Sequence, residues 1–127
     1  MKNILLFGNG ELFRSLEAYL TKIPSHEVIT SLASEQFRNI YHSVKEERNI
    51  SEICKLQQYK RIYLLPDHLH EGLVFTSFLS EWCRGDLFVV TKDHGSYFLY
   101  KKLGGNYVII SKPCSTFTWL PNTAQKI

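Results

Sequence analysis

A glycine-containing turn near the start of the chain has the composition of a phosphate-binding loop. The turn consists of Gly8, Asn9, Gly10, Glu11 and Leu12, which follow a short apolar run and precede residues of helical spacing. Gly8 permits a tight turn, and Gly10 lets a phosphate approach the backbone where the helix begins. Free N–H groups and the helix dipole favour an anion there. We therefore expect these residues either to contact a nucleotide or to form a purely structural strand-to-helix turn.

The turn departs in two ways from the dinucleotide motif G-x-G-x-x-G. Phe13 replaces the third glycine, which removes the close helix–strand contact that glycine allows. The acidic residue expected about 20 positions later, for the ribose hydroxyls, is absent. The second strand instead ends in a serine-rich stretch with Ser31, and Arg38 follows one turn later. This arrangement would suit a 2′-phosphate or mark a lost site, and we favour loss or altered specificity over ordinary NAD binding.

Polar residues also follow the third apolar run. Pro66 and Asp67 end this run, and in a parallel sheet they would lie beside the glycine turn and contact the sugar or base of a ligand. His68 and His70 would share one face of an extended segment, which is a spacing that metals accept. Because the sequence offers no evident third ligand, we predict no metal site.

The other reactive side chains lack the partners that catalysis requires. His94 has no nucleophilic serine or cysteine and no obvious acid paired with it, and a turn before a helix explains it better. Tyr97 and Lys101 have the Tyr-x-x-x-Lys spacing of some NAD(P)-dependent enzymes, but they fall on the last helix without a substrate domain. The three cysteines form no CxxC pair, so neither a zinc site nor a disulfide framework is indicated. We predict no catalytic residue.

The elements that must position these residues alternate between strands and helices. Continuous apolar runs predict buried parallel strands at residues 3–8, 61–66, 86–91 and 106–111, with a weaker strand at 26–32. Helical spacing predicts helices over 12–20, 50–56, 73–82 and 97–103. The alternation predicts an α/β fold with a doubly wound, mainly parallel sheet of five or six strands, a Rossmann-like three-layer sandwich. This domain is expected over residues 1–112, followed by an irregular C-terminal tail over 113–127.

Composition and charge narrow the classes of partner. The 127 residues are 44% hydrophobic and 21% charged, which suits one globular domain. The net charge is +3 and the basic residues are scattered, so no nucleic-acid partner is expected. No apolar stretch is long enough for a membrane span or a signal peptide, so we expect a cytoplasmic location without direct membrane insertion. The aromatic residues near the C-terminus are candidates for a protein interface: Tyr97, Phe98, Tyr100, Phe117 and Trp119.

Several of these segments together resemble the N-terminal Rossmann lobe of RCK domains, the regulators of K⁺ conductance also called TrkA-N. The resemblance covers most of the chain and rests on residues 4–10, 50–56, 62–66, 71–73 and 102–109. It implies a cytoplasmic ligand-sensing module that dimerises and gates a K⁺ channel or transporter, typically with NAD(H), ATP or ADP. This chain would be the first lobe alone, without the smaller ligand lobe.

The chain is also similar to response-regulator receiver domains. Thr91 after a strand and Lys112–Pro113 after the last strand resemble the receiver's switch hydroxyl and its lysine–proline pair, and Asp67 could stand at the phosphoacceptor position. Gly8 and Asn9 occupy the places of the acidic pair that binds Mg²⁺, so phosphoryl transfer would lack its charge clamp. This similarity implies a pseudo-receiver that works through protein contacts.

The sequence thus predicts a non-enzymatic regulatory domain with a degenerate dinucleotide site. Its ligand would be NAD(P) or an adenine nucleotide, and it would act as a homodimer or on a partner protein such as a transporter or signalling component. The alternatives are the pseudo-receiver and a fragment or relative of a small NAD(P)-dependent enzyme.

Overall fold

The strands of the protein form one parallel sheet. The computed structural model describes residues 2–8, 10–22, 27–66, 68–91 and 94–110. The strands in these ranges are β1 (Lys2–Gly8), β2 (Glu27–Ala33), β3 (Tyr59–Leu65), β4 (Asp86–Thr91) and β5 (Tyr107–Ile110). They lie in the order β2-β1-β3-β4-β5, and every neighbouring pair is parallel. The predicted α/β fold is confirmed, with five strands in a doubly wound order.

Helices connect the strands along the chain. They are α1 (Glu11–Lys22), α2 (Ser34–Glu47), α3 (Ile50–Gln57), α4 (Leu69–Trp82) and α5 (Tyr97–Lys102), the last preceded by a 3-10 turn over His94–Ser96. None of the helices in the described ranges is both long and apolar enough to cross a membrane. The predicted tail over residues 113–127 lies outside those ranges.

Alternate side chains of each strand enter two separate cores, because successive residues of a strand point to opposite faces. Ile4 and Leu6 of β1 pack with α1, whereas Leu5 and Phe7 pack with α2, α3, α4 and α5. The second core contains a group of aromatic rings in mutual contact: Phe7, Phe37, Tyr41, Phe75 and Phe78. These rings hold α2 and α4 against the sheet on either side of β1.

Several helix ends follow signals that are visible in the sequence. Asn49 caps α3, since its Oδ1 accepts a hydrogen bond from the backbone N–H of Glu52 at 3.3 Å. After α5, Gly104 has a φ of 114°, and the N–H of Gly105 donates to the carbonyl of Tyr100 at 3.0 Å. The predicted start of α4 at Leu73 is wrong, because the helix already begins at Leu69.

Candidate functional site

The glycine turn lies at the point where the chain order of the sheet reverses. β1 is an interior strand, with β2 on one side and β3 on the other. Gly8, its last residue, is in register with Ala33 of β2 and Leu65 of β3. The carboxyl ends of three strands therefore meet around Gly8, and α1, α2 and α4 begin within a few residues of them. In doubly wound sheets, this crevice is where ligands bind.

The conformation of the turn requires its two glycines. Gly8 has a φ of 151° and Gly10 a φ of 95°, which are values that residues with a side chain rarely adopt. A Cβ on Gly8 would also overlap the backbone carbonyl of Leu65, so the absence of a side chain lets β1 and β3 approach closely. Gly8 thus serves the fold directly, whereas Gly10 shapes the backbone that leads into α1.

The start of α1 presents backbone donors at this crevice. The carbonyl of Gly10 accepts the N–H of Arg14 at 3.2 Å, so Gly10 is the residue from which the helix departs. The first N–H groups of a helix have no partner within it, and the dipole makes this end attractive to an anion. Glu11 is an exposed carboxylate in the first turn. Its negative charge also interacts favourably with the helix dipole. The Glu11 side chain would therefore have to move aside for a bound phosphate.

The side chains of Leu12 and Phe13 anchor the first turn of α1 on the sheet. Both are half-buried and pack against the core on the α1 side of the sheet. Phe13 therefore fills the place where the third glycine of the dinucleotide motif would allow closer contact between helix and strand. Leu12 can offer a ligand its backbone N–H, because its side chain is committed to the core.

Ser31 and Arg38 lie in different layers of the molecule. Ser31 is two residues after Ile29, whose side chain packs in the α1-side core, so the pleat directs Ser31 to that same face. Arg38 is on α2, on the opposite face, and its Nη2 lies 2.6 Å from Oε2 of Glu71 on α4. The structure does not bring these two residues together, and the guanidinium already has a carboxylate partner.

The ion pair between Arg38 and Glu71 joins two helices that flank β1. The Arg38 Nε atom also lies 3.2 Å from the same carboxylate oxygen. The side chains are 48% and 26% exposed, so water screens the pair and its contribution to stability is small. It links the second turn of α2 to the first turn of α4.

The residues that follow β3 lead directly into α4. Pro66 follows β3 directly and is half-buried against α4, where its Cβ would lie 2.7 Å from a Cβ on Gly72. His68 is the residue before α4, and His70 lies within the helix, so the extended spacing proposed for metal ligands does not form. Within the described ranges, no group of three potential metal ligands is present. Asn9 and Asp67 lie outside those ranges.

Among the described residues, burial raises the pKa values of two side chains. The pKa of the Cys83 thiol, near the end of α4, is raised to about 12 by burial. Burial also raises the pKa of the Tyr63 phenol, an effect that the nearby Arg61 partly offsets. Both groups are therefore neutral near pH 7, and both lie away from the glycine turn.

A cleft of about 370 Å³ that the sequence did not predict lies between α2 and α4. Its walls are Tyr41, Lys45, His70, Leu73, Val74, Ser77, Phe78, Glu81 and Leu103. The only sequence signal for this cleft is the apolar surface of α4, which the pattern assigned to core packing. The cleft lies on the side of the sheet that α2, α4 and α5 cover.

The aromatic residues of α5 divide between core and surface. Tyr100 is buried, whereas Phe98 is 81% exposed and Leu99 is 44% exposed. Phe117 and Trp119 lie outside the described residues. Among the candidate interface residues, Phe98 is therefore exposed and Tyr100 belongs to the core.

Comparison with known proteins adds no relative to these observations. No protein-family model matches the chain, and a search of curated proteins finds no significant match.

Proposed function

We propose that this protein is a non-enzymatic regulatory domain that binds an adenine nucleotide at the turn from Gly8 to Leu12. The observation that carries the proposal is the backbone at the centre of the crevice. Two glycines with positive φ lie at the end of β1 and the start of α1, whose first N–H groups have no partner within the helix. An anion such as a phosphate is the ligand chemistry that this arrangement favours.

The surroundings of the turn favour a nucleotide without a 2′-phosphate over NADP(H). α2 begins at Ser34, directly after Ala33 of β2, and the side chain of Gln36 accepts the N–H of Ala33 at 2.8 Å. This immediate helix start leaves no loop at the end of β2 to enclose a ribose. With Arg38 bonded to Glu71, a 2′-phosphate would also have to compete with a carboxylate for its guanidinium. ATP and ADP carry the same ribose but no 2′-phosphate, so they do not need the Arg38 guanidinium.

The regulatory role rests on the resemblance to the nucleotide-sensing lobe of K⁺ transport regulators. In such a domain, the ligand changes the contacts of the module with a second copy or with a transporter. The exposed Phe98 on α5 supports a protein contact, because exposed aromatic rings are frequent anchors of interfaces. A cytoplasmic location is part of the same proposal.

Thermal-shift measurements against ATP, ADP, cyclic nucleotides, NAD(H) and NADP(H) test the proposal. We expect the melting temperature to rise with an adenine mononucleotide in the wild-type protein, because a ligand that binds only the folded state stabilises it. The Gly10→Ala variant should lose most of this rise while still folding. A flat response to every compound would overturn nucleotide sensing, and a rise confined to NADP(H) would overturn the preference for a nucleotide without a 2′-phosphate.

A pseudo-receiver is the second candidate, and the strand order favours it. The order β2-β1-β3-β4-β5 is the one that receivers share with flavodoxin-like domains. Thr91 ends β4, the neighbour of β3, where a switch hydroxyl would stand. Incubation with a small phosphodonor and Mg²⁺, followed by intact-mass measurement, tests phosphorylation of Asp67. Added phosphate would favour an active receiver over both the nucleotide-binding domain and the pseudo-receiver. If no phosphate is added, the receiver-like function that remains is a pseudo-receiver that acts through protein contacts.

A further inference from the structure

The cleft between α2 and α4 has an apolar floor. The ring centroids of Tyr41 on α2 and Phe78 on α4 are 5.0 Å apart, and the two rings meet edge to face. Leu73 and Val74 of α4 and Leu103 after α5 also line the cleft. Phe78 is buried and the other four side chains are partly buried, so the floor of the cleft adjoins the core on this side of the sheet. An apolar group of a ligand would be shielded from water there.

The size of the cleft suits a small ligand. Its volume of about 370 Å³ lies at the lower end of the range of roughly 300–1,000 Å³ that ligand pockets occupy. Ser77 is the smallest side chain among the described walls, and it follows Leu73 by one turn of α4. A larger residue at position 77 would therefore reduce this space. A metabolite of amino-acid size fits the volume better than a nucleotide or a folded peptide does.

Two side chains of opposite charge lie at the same end of the cleft. On α2, Lys45 follows Tyr41 by one helical turn. On α4, Glu81 follows Phe78, also by about one turn. Because α2 follows β2, α4 follows β3 and the strands of the sheet are parallel, the two helices run in the same direction. Both charges therefore lie just beyond the contact between the Tyr41 and Phe78 rings.

Neither of these charges has a partner in the described part of the chain. The ion pairs within 4.0 Å there involve other residues, and neither Lys45 nor Glu81 makes a side-chain hydrogen bond. Glu81 lies in the last turn of α4, which contains no basic residue. The helix dipole disfavours a carboxylate at this end, so an ammonium group of a ligand would interact favourably with Glu81 and with the dipole. The Lys45 ammonium is likewise available to an anionic group.

An apolar floor beside two unpaired, opposite charges matches the chemistry of a zwitterion. A free α-amino acid carries its ammonium, its carboxylate and its side chain on one carbon atom. A fatty acid would place its carboxylate near Glu81 without a compensating cation, and a simple amine would place its charge near Lys45. The amino acid is the ligand class that gives each charge an opposite partner.

We propose that the cleft binds a free α-amino acid with an apolar side chain. The carboxylate of the ligand pairs with Lys45 and its ammonium pairs with Glu81. Its side chain lies against the Tyr41 and Phe78 rings. None of the described residues that line the cleft belongs to the glycine turn, so this proposal does not depend on the nucleotide site.

Calorimetric titration of the wild-type protein with L-leucine and L-phenylalanine tests the proposal. We expect saturable binding of at least one of the two amino acids. L-Leucinamide lacks the carboxylate and N-acetyl-L-leucine lacks the ammonium, so each should bind roughly 3- to 10-fold more weakly than leucine. A buffer of about pH 6.5 keeps the amine of leucinamide protonated.

Two variants assign each charge of the ligand to its partner. Lys45→Gln should weaken leucine binding roughly 3- to 10-fold and leave leucinamide binding unchanged, because leucinamide has no carboxylate to lose a contact. Glu81→Gln should weaken leucine binding by a similar factor and leave N-acetyl-leucine binding unchanged. Lys22→Gln on α1 and Glu47→Gln on α2 are the matched controls, since both residues are exposed and lie outside the cleft. These controls should bind leucine as the wild type does.

A third variant tests the position of the ligand without a change of charge. Ser77→Leu should abolish leucine binding, because the larger side chain occupies the cleft. Ser77 is exposed, so circular dichroism should show a folded variant.

Four results would overturn the proposal. Neither amino acid could bind at concentrations up to about 10 mM, which corresponds to no useful affinity. Leucine, leucinamide and N-acetyl-leucine could bind equally well, which would exclude recognition of a zwitterion. Lys45→Gln and Lys22→Gln could weaken binding equally, which would indicate an effect of net charge alone. Binding could also survive in Ser77→Leu and be lost in Gly10→Ala, which would place the amino acid at the glycine turn.

Discussion

Replacement of Gly8 by alanine tests how the end of β1 is built. The residue has a φ of 151°, and a Cβ there would lie 3.0 Å from the Cβ of Leu65 as well as overlapping its carbonyl oxygen. An unfavourable backbone conformation costs about 1–3 kcal/mol, and forced overpacking costs a similar amount. We therefore expect Gly8→Ala to lower the free energy of unfolding by roughly 2–6 kcal/mol.

Urea denaturation followed by circular dichroism measures this loss directly. A thermal scan should show the same effect, since about 1 kcal/mol corresponds to roughly 4 °C in a domain of this size. Gly10→Ala is the matched control for backbone strain, because Gly10 also has a positive φ, of 95°. Its loss should be about 1–3 kcal/mol. If Gly8→Ala were as stable as the wild type, the close approach of β1 and β3 would not exist as described.

Further predictions concern the rings, the ion pair and the buried thiol. Phe37→Ala should lower the free energy of unfolding by about 3–5 kcal/mol in urea denaturation, because Phe37 is 0% exposed. A double-mutant cycle of Arg38→Ala and Glu71→Ala should give a coupling energy of about 0.2–1 kcal/mol that falls in high salt. In calorimetry, Arg38→Ala should leave the affinity for an adenine mononucleotide unchanged. A larger coupling energy or a loss of affinity would contradict these assignments. Burial raises the pKa of Cys83 from 9.0 to about 12, so the folded state keeps a proton that the unfolded state loses above pH 9. The free energy of unfolding should then fall by up to about 1.4 kcal/mol per pH unit between pH 9 and pH 12. Urea denaturation at a series of pH values measures this decrease, and the Cys83→Ala variant should lack the part that comes from the thiol. A pH dependence that is the same in the variant would contradict the burial of the thiol.

The sequence was most informative where one local pattern decides the structure. Continuous apolar runs mark strands that are buried on both faces, and β1, β3 and β4 appear where those runs lie. The spacing of Leu16 and Leu20 likewise identified the face of α1 that packs on the sheet. Asn49 and Ser51 were both candidate caps for α3 in the sequence, and the structure selects Asn49, whose Oδ1 accepts the N–H of Glu52.

Features that depend on distant residues were not visible in the sequence. α2 was not predicted, since polar side chains dominate it and its apolar face becomes apparent only once Phe37 stacks on Phe7. The pairing of Arg38 with Glu71 joins residues 33 positions apart. It depends on the strand order, which places α2 and α4 on either side of β1, and local spacing does not specify that order. For the same reason, the sequence could not show that Ser31 and Arg38 occupy opposite layers.

The measurement that tests the central claim most directly is an NMR titration of the ¹⁵N-labelled protein with ADP. If the turn binds the phosphate, the backbone amides of Gly10, Glu11 and Leu12 should shift and saturate together. The amide of Val108 in β5, at the far edge of the sheet, should remain unchanged. A titration that leaves the three turn amides in place, or that shifts only residues of the cleft between α2 and α4, would contradict the proposed site.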